Sequence, residues 1–168
     1  MPQPAMPTAT TYGVLAKMLE DLCLSNESVK TFRLGPVTSI EIPTAGDTNQ
    51  NSFNYPYIHM VPQTARMNGR STFFEFDMIV MDLAKDNLGL ETTVHSQTLE
   101  ITRDILSKFA LTTWEEFRYN IVLPADATPF IESYQNSVAG WTTRLSIEAI
   151  TPLNLCDAAF LAPNAIRS

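Results

Sequence analysis

The chain has 168 residues, with 18 acidic against 11 basic side chains and a net charge of −7; 45% of it is hydrophobic and 17% charged. That length suits one domain with its own core, and the negative balance argues against a protein that grips nucleic acid through a basic surface. No apolar run reaches the roughly 18 residues of a membrane-spanning helix, and Cys23 and Cys156 lack the paired spacing of a zinc site.

Residues 1–10, rich in Pro, Ala and Thr, read as a loose arm. They lack the charge and apolar stretch of a signal peptide, so the expectation is a protein that stays where it is made. Val14, Leu15, Met18, Leu19 and Leu22 recur at helical spacing, which predicts a first helix from about Thr11 to Leu24, with Lys17, Glu20 and Asp21 turned outward. Thr31 to Ile42 reads as a strand broken or bent at Gly35-Pro36, hence an edge position, because proline has no N–H for the ladder. A polar loop, 43–54, follows. It carries Asp47, Asn49, Gln50, Asn51, Phe53 and Asn54, amide-rich with one large apolar side chain. Ordering such a loop costs entropy that its own side chains cannot offset, so these six residues are the candidate contact with a neighbouring subunit or partner.

Tyr55 to Val61 reads as a second strand and Gln63 to Gly69 as a turn, with Asn68-Gly69 as its signal. The central strand is Ser71 to Asp82. Phe74, Phe76, Met78 and Val80 form one apolar face, while Glu75 and Asp77 share the other with Phe73, Ile79 and Met81. A second helix is expected over about 91–110, its buried stripe being Val94, Thr98, Ile101, Ile105 and Phe109. Three strands close the chain: Arg118 to Leu123, Phe130 to Gln135 and Ala139 to Ile150, with Asn136-Ser137 turning between the last two. In the last strand Trp141, Thr143, Leu145, Ile147 and Ala149 alternate with Thr142, Arg144, Ser146 and Glu148, the pattern of a sheet with one wet face. The order helix, three strands, helix, three strands predicts an α+β fold: a mostly antiparallel (mixed) β-sheet with two α-helices packed on one face. Residues 11–156 form the domain and 157–168 an extension.

Chemistry is sparse. His59, Glu75 and Asp77 become neighbours if the second strand pairs with the central one, and such a trio can hold a metal in a small metal-dependent enzyme. The plainer expectation is a satisfied histidine on a half-buried sheet face, with no metal and no cofactor. His95 falls in the first turn of the second helix, an ordinary place for a histidine. No nucleophile elbow and no phosphate-binding glycine loop is present. Cys23 and Cys156 read as buried small apolar residues in a reduced compartment, and Glu20 and Asp21 are expected to raise the Cys23 thiol rather than activate it. Trp114 and Trp141 read as core or interface anchors. The chain is expected not to be an enzyme.

The whole pattern resembles bacteriophage tail terminator and tail-completion proteins. The likeness rests on a combination: the helix Tyr12 to Leu24, a central strand ending in an acid (Phe76-Asp77-Met78-Ile79-Val80-Met81-Asp82), and a short Asp86-Asn87 loop. A helix containing Val94-His95-Ser96, Ile101 and Asp104-Ile105-Leu106 follows, then a closing strand Ala139-Gly140-Trp141 with Leu145 and Ile147, and Cys156 beyond. It covers about residues 11–156. The resemblance implies a structural virion protein without catalytic residues. It would form a homo-oligomeric ring, typically a hexamer, that caps the tail tube and meets the neck or connector proteins at the head-to-tail junction. Genomic DNA would pass through its lumen unbound, with no membrane involved. A connector, stopper or other tail-completion ring is the neighbouring expectation. Low charge suits extensive subunit contacts, and an acidic lumen suits DNA that must pass without sticking.

Overall fold

The computed structural model describes residues 12–37, 54–84, 88–111, 119–134 and 136–150. Helix α1 spans Tyr12–Leu24 and strand β1 Thr31–Leu34; β2 is Tyr57–Met67 and β3 Thr72–Leu83. Helix α2 is Leu88–Leu111, followed by β4 (Tyr119–Val122), β5 (Ala127–Tyr134) and β6 (Asn136–Ala149). The expected order of elements and the α+β class both hold. No helix among the described residues is long and apolar enough to cross a membrane.

The six strands form one mixed sheet in the order β1-β2-β3-β6-β4, with β5 also paired to β6. Only β1 and β2 run parallel; the other pairings are antiparallel. β6 is long enough to take β4 along residues 146–149 and β5 along residues 136–143 on its side away from β3. The register sets Phe76 opposite Leu145, Phe74 opposite Ile147 and Met60 opposite Met78, so these side chains share one face. Both helices cover that face. Leu15, Met18, Leu19, Leu22 and Cys23 of α1 join Ile101, Ile105 and Phe109 of α2 and the strand residues Ile58, Met60, Phe76, Met78 and Val80 in one buried cluster.

Local chemistry explains the ends. Beyond α1, Ser25 donates its hydroxyl to the Leu22 carbonyl at 2.6 Å, and Lys108 near the end of α2 donates to the Ser25 hydroxyl at 2.6 Å. The two helix C-termini are thereby tied together, and Ser25 places a donor on a carbonyl in the last turn of α1, where helix carbonyls lack partners. On α2, Thr98 and Thr102 return their hydroxyls to the carbonyls of Val94 and Thr98, at 2.7 and 2.9 Å, which lets both be buried at the sheet.

Several boundaries differ from the sequence reading, among them the start of β5 at Ala127, where Phe130 was expected, and of β2 at Tyr57, where Tyr55 was expected. β2 runs on to Met67, where a turn was expected from Gln63, and the reversal itself is confined to Asn68 to Ser71. Pro62 is tolerated because β1 pairs only with residues 57–60, which leaves the outer side of β2 open there, and a register shift between Pro62 and Ala65 absorbs the irregularity. Helix α2 starts at Leu88, which moves His95 out of the first turn. Asn136 and Ser137 belong to β6, paired with Tyr134 and Ser133, rather than forming the turn. β1 ends at Leu34 before Gly35-Pro36, as proline requires; residues 38–42 of the expected strand lie outside the described residues, as do the arm 1–10 and the extension 157–168.

One buried group is anomalous. The Thr143 hydroxyl oxygen, on the helix-covered face, is fully buried and has no hydrogen-bond partner among the described residues. An unsatisfied buried polar atom costs about 1–3 kcal/mol. Thr143→Val keeps the shape and removes that cost, and should raise stability by about 1 kcal/mol. A urea midpoint that moves up without a change in slope is the expected reading.

Candidate functional site

The face of the sheet away from the helices carries the polar groups. His59 lies opposite Ile79 on it, and Asp77 lies opposite Val61, so His59, Glu75 and Asp77 do share a face. They do not converge. His59 is fully buried; its Nδ1 accepts the Tyr57 hydroxyl at 2.7 Å and its Nε2 donates to the Gly35 carbonyl at 3.0 Å. Asp77 accepts from Gln63 at 2.7 Å and pairs with Arg144 at 3.1 Å, while Glu75 pairs with Arg66. Each of the three is thus held by a partner of its own, and among the described residues no three His, Cys, Asp or Glu side chains gather as metal ligands.

The His59 network has a structural logic. Gly35 is where the chain leaves β1; its N–H bonds the Met60 carbonyl and its carbonyl receives the imidazole. The side chain of β2 thereby completes a ladder that Pro36 cannot extend. Burial lowers the His59 pKa below its ordinary value, and the Arg33 guanidinium pushes it the same way, while hydrogen bonds to the Gly35 and Pro36 backbone oppose them. Burial also pushes the Tyr57 hydroxyl up to about 12, with Arg33 drawing it down and Tyr55 adding to the rise.

The unfolded chain protonates this histidine near pH 6.5; the folded chain resists protonation. Stability from neutral His59 is complete above about pH 6.5 and is lost as pH falls through the lowered folded value. The expected result is a urea midpoint that drops between pH 7.5 and 5.5, and drops less in His59→Gln, whose amide can both accept from Tyr57 and donate to Gly35. Equal drops in the two proteins would show that other groups carry the effect.

At the far end of the same face, Ser71 donates its hydroxyl to Glu148 at 2.7 Å, and Asn68 Oδ1 accepts the backbone N–H groups of Arg70 and Ser71 at 2.8 and 2.7 Å. The turn joining β2 to β3 is thus built from Asn68, and every residue from Pro62 to Arg70 is exposed. Met67 is 70% exposed. This hairpin was hidden in the sequence by reading 63–69 as a turn. The available signal was charge: residues 62–71 hold Arg66 and Arg70 and no acid, in an acidic chain.

Of the loop residues expected at a contact, Asp47, Asn49, Gln50, Asn51 and Phe53 lie outside the described residues. Asn54 is exposed, and its backbone is tied at both groups to the Thr31 hydroxyl, at 2.9 and 3.1 Å, which fixes the loop's end against β1. Trp141 is an anchor: half-buried, it donates its indole N–H to the His95 carbonyl at 2.8 Å, and the His95 ring meets it edge-on at 5.7 Å. His95 Nε2 in turn donates to the Phe130 carbonyl at 3.1 Å, so one helical histidine joins α2 to both β5 and β6. Cys23 is fully buried and its thiol is pushed up to about 12; burial, rather than Glu20 and Asp21, is the cause. Cys156 and Trp114 lie outside the described residues. A shallow open groove of about 260 Å³ runs between α1 and β1, lined by Ala16, Lys17, Glu20 and Phe32 to Leu34, with Lys17 engaged by Glu20 and Asp21 at 3.0 Å.

No protein-family model matches the chain, and no curated protein matches it.

Proposed function

We propose that the chain is a structural protein of a tailed bacteriophage particle, a tail terminator that closes as a ring over the end of the tail tube and presents a second surface to the neck or connector proteins. The observation that carries this reading is the arrangement of elements. An N-terminal helix, a strand set whose central member β3 carries Asp82 near its end, the long helix α2 and the closing strand β6 beside β3 follow the order on which the resemblance rests. The open sheet face supports a non-enzymatic role, because the polar groups of His59, Glu75 and Asp77 are each engaged with a structural partner. The net charge of −7 suits a ring whose lumen genomic DNA crosses without binding. Assembly takes place in the host cytoplasm and the finished ring belongs to the virion. The loop 43–54 contributes to contacts with a neighbouring subunit or the adjoining ring, with Asn54 as its fixed end.

Native mass spectrometry of the purified chain, with and without tail tubes, tests the reading. A hexamer, formed alone or on the tube end, is the expected species. A twelve-membered ring would move the protein to the connector of the same machine. A chain that stays monomeric and leaves tube ends uncapped ends the proposal.

A further inference from the structure

We infer that neighbouring copies of this chain meet through opposite edges of the sheet, the Arg70 turn end of the β2–β3 hairpin of one copy against the acidic β4–β5 edge of the next. The inference rests on the ring reading above and names the surfaces by which that ring closes.

The two edges are complementary in charge. The hairpin segment 62–71 carries two arginines and no acid, although the whole chain is at −7. Arg66 is engaged by Glu75, but the Arg70 guanidinium has no carboxylate partner among the described residues. The segment 119–134, which forms β4, β5 and their connection, carries Asp126 and Glu132 and neither Lys nor Arg. Arg144, the cation beside this edge on β6, is committed to Asp77.

The two edges also match in apolar character. Met67 stands out at the hairpin tip, and Val122 and Leu123 are 42% and 55% exposed at the end of β4. Met67 beside Arg70, facing Val122 and Leu123 beside Asp126, sets an apolar centre against a charge-complementary rim, the anatomy of a specific interface. The hairpin is held in shape by the Asn68 turn and by the pairing of Thr72 with Ala149, so docking orders little that was free.

Topology makes the contact heterologous. The open side of β2 and the β4–β5 side lie at opposite ends of one strand order. A contact between them is heterologous: each copy offers one edge forward and the other back, which gives a ring where the rotation between copies closes and does not give a two-fold dimer. Pro62 and Pro129 each remove an amide donor from these edges, a feature that discourages strands from pairing across molecules. Contact is therefore made by side chains, not by a continuous ladder.

Charge exchange in the full-length chain tests this. Arg70→Glu and Asp126→Arg should each weaken assembly at least about tenfold, read as subunit dissociation by native mass spectrometry, because each sets like charges face to face. Combining them should restore assembly to within about threefold of the parent. Unchanged melting temperatures are expected, since both side chains are exposed; should Asp126→Arg lower it, Glu132→Arg on the same edge replaces it. Single variants that assemble like the parent overturn the inference and leave the ring reading standing. Single variants that weaken assembly without rescue in the double overturn it too, as does a two-fold dimer as the final species. A parent that never assembles, with tail tubes present, is instead a failure of the ring reading, and the inference falls with it.

Discussion

Replacing Phe76 with alanine should cost about 3–5 kcal/mol, the range for truncating a buried aromatic. Phe76 is 1% exposed at the centre of β3, opposite Leu145 on one side and Pro62 on the other. The Tyr12 ring of α1 stacks over it with centroids 6.3 Å apart, and it belongs to the cluster that includes Ile101, Ile105 and Phe109 of α2. No flexible side chain alone can fill the space, because the walls are two helices and three strands. At about 2–4 °C per kcal/mol for a chain of this size, the melting temperature should fall by roughly 6–20 °C. The neighbour Glu75 points to the other face and pairs with the exposed Arg66, so Glu75→Gln should change stability by no more than about 1 kcal/mol. That contrast between adjacent residues tests the register directly. Similar losses at both positions would mean that the faces of β3 are assigned wrongly.

Gly140→Ala should be as damaging, for a different reason. Gly140 lies in β6 opposite Met81 of β3 and Phe130 of β5. A Cβ built there would overlap the Val80 carbonyl oxygen and come within 2.9 Å of the Val80 carbonyl carbon and the Met81 Cα. These are backbone atoms of a central strand, and no rotamer can move them away. Overpacking of a core commonly costs 1–3 kcal/mol, and a clash with fixed backbone belongs at or above about 3 kcal/mol. The strand must shift, which breaks the pairing of β6 with β3 and of β5 with β6. Gly69→Ala is the control: its Cβ would meet nothing within 4 Å, so a change within about 0.5 kcal/mol is expected. Urea unfolding of both variants is the measurement, and a Gly140→Ala protein as stable as the parent would show that β3 and β6 do not approach so closely.

Local pattern alone determined the layer architecture. Leu15, Met18, Leu19 and Leu22 recur at a helical period and Phe74, Phe76, Met78 and Val80 at a strand period, and each set is too long to satisfy the other period. The face assigned to each is buried except at Val14, which is 37% exposed, and Phe74, which is half-buried; the stripe Val94, Thr98, Ile101, Ile105, Phe109 was legible on the same ground, all five being buried. The placement of Glu75 and Asp77 on one sheet face was also legible from parity along the strand, whereas His59 joins them only through the register that sets it opposite Ile79.

What the side chains on that face engage was not legible, because the partners come from distant segments that no local window contains. His59 meets Gly35, 24 residues away, only because β1 lies parallel beside β2. Asp77 meets Arg144, 67 residues away, only because β6 lies beside β3. Strand ends were decided in the same way. Pro62 reads as a terminator until the sheet order leaves the outer side of β2 open, where a missing N–H breaks no ladder bond and the strand continues to Met67. The hairpin and the β4–β5 edge became opposed surfaces only through that strand order: the charges of residues 62–71 and 119–134 are written in the sequence, but their opposition across one sheet is a property of the fold.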